Sequence, residues 1–252
     1  MGFGSRRSND TEPEPVVVDP TGWMIDSPVA DFLLMHTNEI KYMCMLGYTF
    51  MHGSKVFNSA KPDASIAYKF VNMILACTGG GIFVPIFINK IPVPLAQDAY
   101  IIAILTSFML HTYAPVLREV LTKSGLFLFA GVFSYETLRS YVVCSLTAAA
   151  GAAIAPSQFS FPVFGPIICG TVAGCGGAFL PLNKGLEPIK GGLAPPMLTA
   201  FLGSAFYHLF LNTSLSDGCI EPGKKAHFHV ALFFILVGLA NAFGATAKVK
   251  KS

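Results

Sequence analysis

The amino-acid sequence predicts an all-α membrane protein: seven transmembrane helices, three plus three in an inverted repeat, with a seventh at the C-terminal end. Three observations predict it. Hydrophobic residues make up 53% of the 252 residues and charged residues only 12%, with a mean hydropathy of +0.58, whereas a soluble domain carries about a quarter charged residues. The apolar residues are gathered into runs of the length that crosses roughly 30 Å of hydrocarbon at 1.5 Å per helical residue. A short glycine-rich pattern also occurs twice, at matching places in two halves of the chain.

Taken in order, residues 1–27 are polar, acidic and Pro-containing, without the apolar centre of a secretory leader, and read as a disordered tail. The first span, 29–52, carries Asp31, His36, Glu39 and Lys41, so it is a functional span or an interfacial helix. Spans 66–88 and 99–120 are apolar nearly all round, as lipid-facing helices are, and close a first repeat over 28–121. Span 125–154 holds Glu136 and Arg139 at its centre. Spans 162–182 and 194–212 complete a second repeat over 125–212, and 227–246 forms the seventh helix. The transmembrane unit is thus 28–247, with a basic tail at 248–252. Nine Lys and Arg residues, Lys55, Arg118, Lys190 and Lys251 among them, lie on one side and five on the other. That bias places the C-terminus in the cytosol.

The repeated pattern is the most informative feature. Gly80-Gly81-Ile82-Phe83-Val84-Pro85 precedes Asn89-Lys90, and Gly176-Gly177-Ala178-Phe179-Leu180-Pro181 precedes Asn183-Lys184. Three spans per copy is an odd number, so the second copy lies upside-down in the bilayer, as in inverted-repeat transport proteins. Glycine and proline both disfavour helix interiors. The clusters Gly79-Gly80-Gly81 with Pro85, and Gly176-Gly177 with Pro181, are therefore expected to kink helices 2 and 5. In a bilayer the carbonyls so released must face protein or water, which lines a cation path without many charges. The competing reading is close helix packing on small residues.

Glu136 and Arg139 stand three residues apart on one helical face and can pair. An intramembrane pair is a functional hypothesis, against the alternative of a structural ion pair that fixes packing. Glu39 and Lys41 are the counterparts in the first span, candidates for a pore entrance. Five of the six cysteines lie within apolar stretches as small packing residues, and no spacing fits a metal site. No catalytic motif is present, so an enzyme is not expected. A net charge of +3 without a basic stripe gives no sign of a nucleic-acid partner.

These residues resemble the trimeric intracellular cation channel family over most of 29–246. Ala76-Cys77-Thr78-Gly79-Gly80-Gly81-Ile82 looks like that family's glycine motif of span 2, and 170–177 like its counterpart of span 5. The family's Lys-Glu-x-x-Arg of span 4 reads here as Tyr135-Glu136-Thr137-Leu138-Arg139. The resemblance implies a homotrimer in which each protomer encloses its own potassium-permeable path. It also implies a place in the endoplasmic or sarcoplasmic reticulum and counter-ion current during calcium release. Its cofactor is a phosphoinositide headgroup held by the Lys and Arg of that motif. Here Arg139 is kept and Tyr135 replaces the Lys, leaving a hydrogen-bond donor without charge. The C-terminal Lys248-Val249-Lys250-Lys251-Ser252 is similar to a dilysine retrieval signal, and equally to the basic stop beside a span. The expected partners are potassium and sodium ions, membrane lipids and two further copies of the chain. A small-solute secondary transporter and a non-conducting structural subunit are the alternatives.

Overall fold

The structure is a computed structural model and describes residues 19–180 and 185–249. Two short helices, α1 (Trp23–Asp26) and α2 (Pro28–Leu33), come first. The Ser27 hydroxyl accepts from Ala30 N–H and Pro28 opens the first turn of α2. They pack against the last helix: Trp23 meets Phe228 edge-on at 5.5 Å, and Ala30, Leu33 and Leu34 bury against Phe228, Ala231 and Ile235. Residues 19–27 are therefore folded, not the disordered tail expected of them. The rest of that tail, 1–18, lies outside the described residues.

The first long helix starts later than the expected span at 29–52. The chain turns at Met35 (φ 52°) and begins again as α3 (Asn38–Ser59), where the Thr37 hydroxyl accepts from Ile40 N–H. The sequence carries both starts, Ser27-Pro28 and Thr37-Asn38-Glu39, and both are helix N-terminal signals. A hydropathy run averaged across them merges two helices into one.

Helix α4 (Ile66–Phe87) is continuous through Gly79–Gly81 and carries Pro85 within it. The short α5 (Val93–Ala96) leads into α6 (Asp98–Tyr113) and α7 (Pro115–Lys123), which meet at 102°. The expected span 99–120 is thus broken at Pro115, which supplies no N–H and pushes Ala114 out of helical geometry (φ −126°, ψ 57°). Helix α8 (Gly125–Ala153) runs for 29 residues. Helix α9 (Phe164–Cys175) passes into a 3₁₀ turn at Gly176–Phe179. Pro181 and Asn183-Lys184 lie outside the described residues. Helices α10 (Pro195–Asn212) and α11 (Pro222–Val249) complete the chain; of the basic tail, Lys250, Lys251 and Ser252 lie outside the described residues.

The described residues contain helices and no strand. Helix α4 and residues Pro222–Gly244 of α11 are long and apolar enough to cross a membrane unaided, and the α6–α7 pair is a third if counted as one span. This is an integral membrane protein. Helix α8 is its axis, packed by α3, α9, α10 and α11. Helices α3 and α8 run antiparallel: Gly131 approaches Met51, while Ser134 approaches Gly47. So do α4 and α9, with Ala76 beside Gly177 and Gly80 beside Ala173. Hydroxyls stitch the remaining contacts. Thr49 Oγ1 lies 2.7 Å from Ser107 Oγ between α3 and α6. Ser204 Oγ donates to Ile167 O at 3.0 Å between α10 and α9.

Candidate functional site

The two glycine clusters singled out by the sequence lie against each other through Gly79 and Gly80 on one side and Gly176 and Gly177 on the other. A Cβ on Gly79 would stand 2.5 Å from Gly177 Cα, and one on Gly176 would stand 2.8 Å from Gly80 Cα. At that separation any side chain in either pair collides with backbone, so glycine here permits two helices to touch main chain to main chain. Gly81 faces away, toward Val93. Pro85 is buried further along α4.

The crossing forms one wall of a chain of cavities that follows α3. The first, about 270 Å³, is bordered by His52, Lys55, Asn72, Tyr135 and the glycines Gly79, Gly80, Gly176 and Gly177. The second, about 290 Å³, holds Gly81, Gln97, Tyr100, Tyr141 and Ser145 in its lining. It shares Tyr48, Cys77 and Ala173 with the first. The third, about 280 Å³, shares Met45, Gln97, Leu138 and Tyr141 with the second and opens at Asn38, Lys41 and Asp98. Lys41, Met45, Tyr48, His52 and Lys55 occupy one helical stripe of α3 and mark the route from end to end, about 21 Å at 1.5 Å per residue. Among the described lining residues, Lys55 at one end and Lys41 with Asp98 at the other carry the charge.

Cys77 borders both of the first two cavities, and its main-chain oxygen takes two side-chain hydrogen bonds. Tyr100 Oη donates to Cys77 O at 2.8 Å and Tyr48 Oη to the same oxygen at 3.3 Å. The Tyr48 ring stacks on Tyr135 at 4.8 Å, and Lys55 Nζ stands 5.2 Å from the Tyr135 ring centroid. Sequence reading missed Tyr48, His52, Lys55, Asn72, Gln97 and Tyr100. The stripe on α3 was the available signal; the two tyrosines on one carbonyl come from helices brought together only by folding.

Arg139 and Glu136 pair as expected, but away from the route. Arg139 is 3% exposed and Glu136 5%. The guanidinium donates through Nε to Glu136 Oε2 at 2.7 Å, through Nη1 to Pro196 O at 2.8 Å and through Nη2 to Thr199 Oγ1 at 2.8 Å. It also lies 4.3 Å from the Phe234 ring centroid. Gly238 on α11 makes room for the carboxylate, since a Cβ there would stand 2.7 Å from Glu136 Cγ. The pair borders a fourth cavity, about 440 Å³ and mostly apolar, that touches the first at Lys55, Tyr135 and Pro196. Of the other expected residues, Lys41 lines the third cavity, whereas Glu39 is exposed on the first turn of α3 and borders none of the four.

The chain is thus a helical membrane bundle with a row of cavities, mixed apolar and uncharged polar between Lys55 and Lys41, beside α3. Two solved structures of a trimeric intracellular cation channel from C. elegans, one without Ca2+ and one with Ca2+ bound, share that fold. Their TM-scores are 0.67 and 0.65, at 16% identity, with 86% of this chain and 97% of that chain covered in each case. No protein-family model and no curated protein matches the chain.

Proposed function

We propose that the chain is a channel for monovalent cations, potassium among them, related to the trimeric intracellular cation channels, with one path in each of three protomers. The observation that carries this reading is the row of three adjoining cavities along α3, with charge at Lys55 and at Lys41 and Asp98 and, between them, apolar side chains interrupted by the uncharged polar groups Tyr48, Gln97, Tyr100 and Ser145. With their protons given to Cys77 O, the Tyr48 and Tyr100 hydroxyl oxygens keep lone pairs that can replace part of a potassium ion's hydration shell. The structural likeness to a cation channel supports the same reading. Seven spans follow if α3, α4, α6, α8, α9 with its 3₁₀ turn, α10 and α11 each cross the bilayer. An inverted repeat accounts for the antiparallel α3–α8 and α4–α9 pairs and for the meeting of the two glycine motifs, with Gly79, Gly80, Gly176 and Gly177 at the crossing. The location is an intracellular membrane, the endoplasmic or sarcoplasmic reticulum, where the current balances calcium release.

A phosphoinositide headgroup belongs to this reading at the first cavity, where Lys55 beside Tyr135 restores the cation that the replaced lysine of the span-4 motif removes. Arg139 then supports the site from behind, its hydrogen bonds already given to protein.

The test is potassium flux through purified protein in liposomes, with and without phosphoinositide, for the parent, Tyr100→Phe and Lys55→Gln. Tyr100→Phe is expected to change conductance without loss of folding, and Lys55→Gln to remove the response to phosphoinositide. Saturable uptake of one solute would make the protein a transporter. Absence of flux in every lipid would make it a structural subunit.

A further inference from the structure

The bend at Pro115 gives α7 a surface that the route through the protein does not use. The helix leaves α6 at 102°. Three of its apolar side chains find little protein to cover them: Val116 is 75% exposed, Leu117 45% and Val120 60%. The same nine residues carry Arg118, Glu119 and Lys123. A re-entrant segment inside hydrocarbon would place those charges in lipid at high cost. A helix lying in the interface seats the apolar side in acyl chains and leaves the charges in the headgroups.

A second, independent feature stands at the same end of the bundle. Arg118 of α7 and Lys69 of α4 both approach the Phe57 ring of α3, with the guanidinium carbon 5.9 Å and Nζ 6.0 Å from its centroid. Two cations converge on one aromatic ring, and neither forms an ion pair among the described residues. Glu119, the nearest acid in sequence, pairs instead with Lys123 at 3.7 Å. The ring attracts each cation separately, but the cations repel each other. Among the described residues neither charge is neutralised by a carboxylate, so an anion at this end of the bundle lowers the repulsion and gains charge-assisted hydrogen bonds. The attached apolar helix indicates which anion: one that arrives with acyl chains.

We propose that α7 lies in the headgroup plane of the membrane and that Lys69 and Arg118, gathered over Phe57, bind the phosphate of an anionic phospholipid there. This site is separate from the cavity at Lys55 and Tyr135. The inference rests on the chain being membrane-integral and not on its conducting ions, so a protein without flux still tests it.

The experiment places a single tryptophan on α7 by combining Val120→Trp with Trp23→Phe, and reconstitutes the protein with lipids brominated at shallow or deep acyl positions. Ile102→Trp, on the exposed face of α6 (61% exposed), is the depth reference. The residue-120 indole is expected to be quenched most by shallow bromines, and the residue-102 indole by deeper ones. At equal mole fraction, brominated phosphatidylserine should quench residue 120 more than brominated phosphatidylcholine. Lys69→Gln and Arg118→Gln should each lower that preference, by up to about fivefold per cation. Deep quenching at residue 120 would make α7 re-entrant, and no quenching would mean that protein covers it; either overturns the proposal. A preference unchanged in the double Gln variant, or abolished by inorganic phosphate at constant ionic strength, would also overturn it.

Discussion

Arg139 gives hydrogen bonds to Glu136, to the Pro196 carbonyl and to the Thr199 hydroxyl while it lies against the Phe234 ring, so one side chain ties α8 to α10 and α11. Burial to this depth makes the pair strongly interdependent. Removing the guanidinium leaves a carboxylate surrounded by protein, and breaking a buried pair in this way costs about 3–5 kcal/mol. Arg139→Ala is therefore expected to lower the thermal unfolding temperature in detergent and to weaken docking of α11. Glu136→Gln, which keeps an acceptor for Nε, should be milder. If Arg139→Ala unfolds like the parent while its flux changes, the residue belongs to the path and not to the scaffold. The i,i+3 spacing made the pairing legible from sequence, but its depth was not. Depth is decided by Gly238, on a helix about 100 positions away, whose missing Cβ leaves the space that Glu136 fills. No pattern local to span 4 records that.

At the scale of elements, the glycine crossing between α4 and α9 sets how closely the two halves approach. A Cβ on Gly80 would run into the Ala173 carbonyl, on a helix backbone that cannot step aside. Gly80→Ala should cost about 1–3 kcal/mol, the range for overpacking a tight interior. Gly125→Ala, at a position with open space around it, should be neutral within about 0.5 kcal/mol. Thermal unfolding of the two variants side by side checks the difference, and equal effects would show that the contact is looser than its geometry. The repeated Gly-Gly-x-Phe-x-Pro pattern was visible in the sequence, as were the approximate bounds of α4, α8 and α10, because long apolar runs ended by Ser, Pro or Gly are local signals. Contact between the two copies is a tertiary fact. The break at Pro115 was legible in principle, since proline interrupts helical hydrogen bonding wherever it falls inside a span. Hydropathy alone does not distinguish a straight span from one bent at such a break.

For the whole molecule, the chain closes on itself where residues 19–35 dock on the start of α11. Lys225 donates to Asp19 at 2.5 Å and is itself 4% exposed. The hydrogen bond from Lys225 comes first, and those from the Thr21 hydroxyl and N–H add to it, in holding the Asp19 carboxyl down from its ordinary 3.8 to about 2. A carboxyl whose pKa is lowered on folding stabilises the folded arrangement fully above its ordinary value, and that contribution is lost as pH falls toward the folded value. Docking of 19–35 should therefore weaken between about pH 4 and pH 2 and not change near neutrality. Trp23 reports it directly, being the only tryptophan in the chain and packed edge-on against Phe228. Its emission is expected to shift to the red through that window in the parent. In Asp19→Asn, which leaves the Lys225 ammonium without its counter-charge, emission should already be red-shifted at neutral pH and stay flat on acidification. Superimposable titrations of the two proteins would mean that Ala30, Leu33 and Leu34 hold the segment by apolar contact alone, with the ion pair incidental. A red shift confined to the parent would instead make one carboxylate the clasp that joins the first described residues to the last helix.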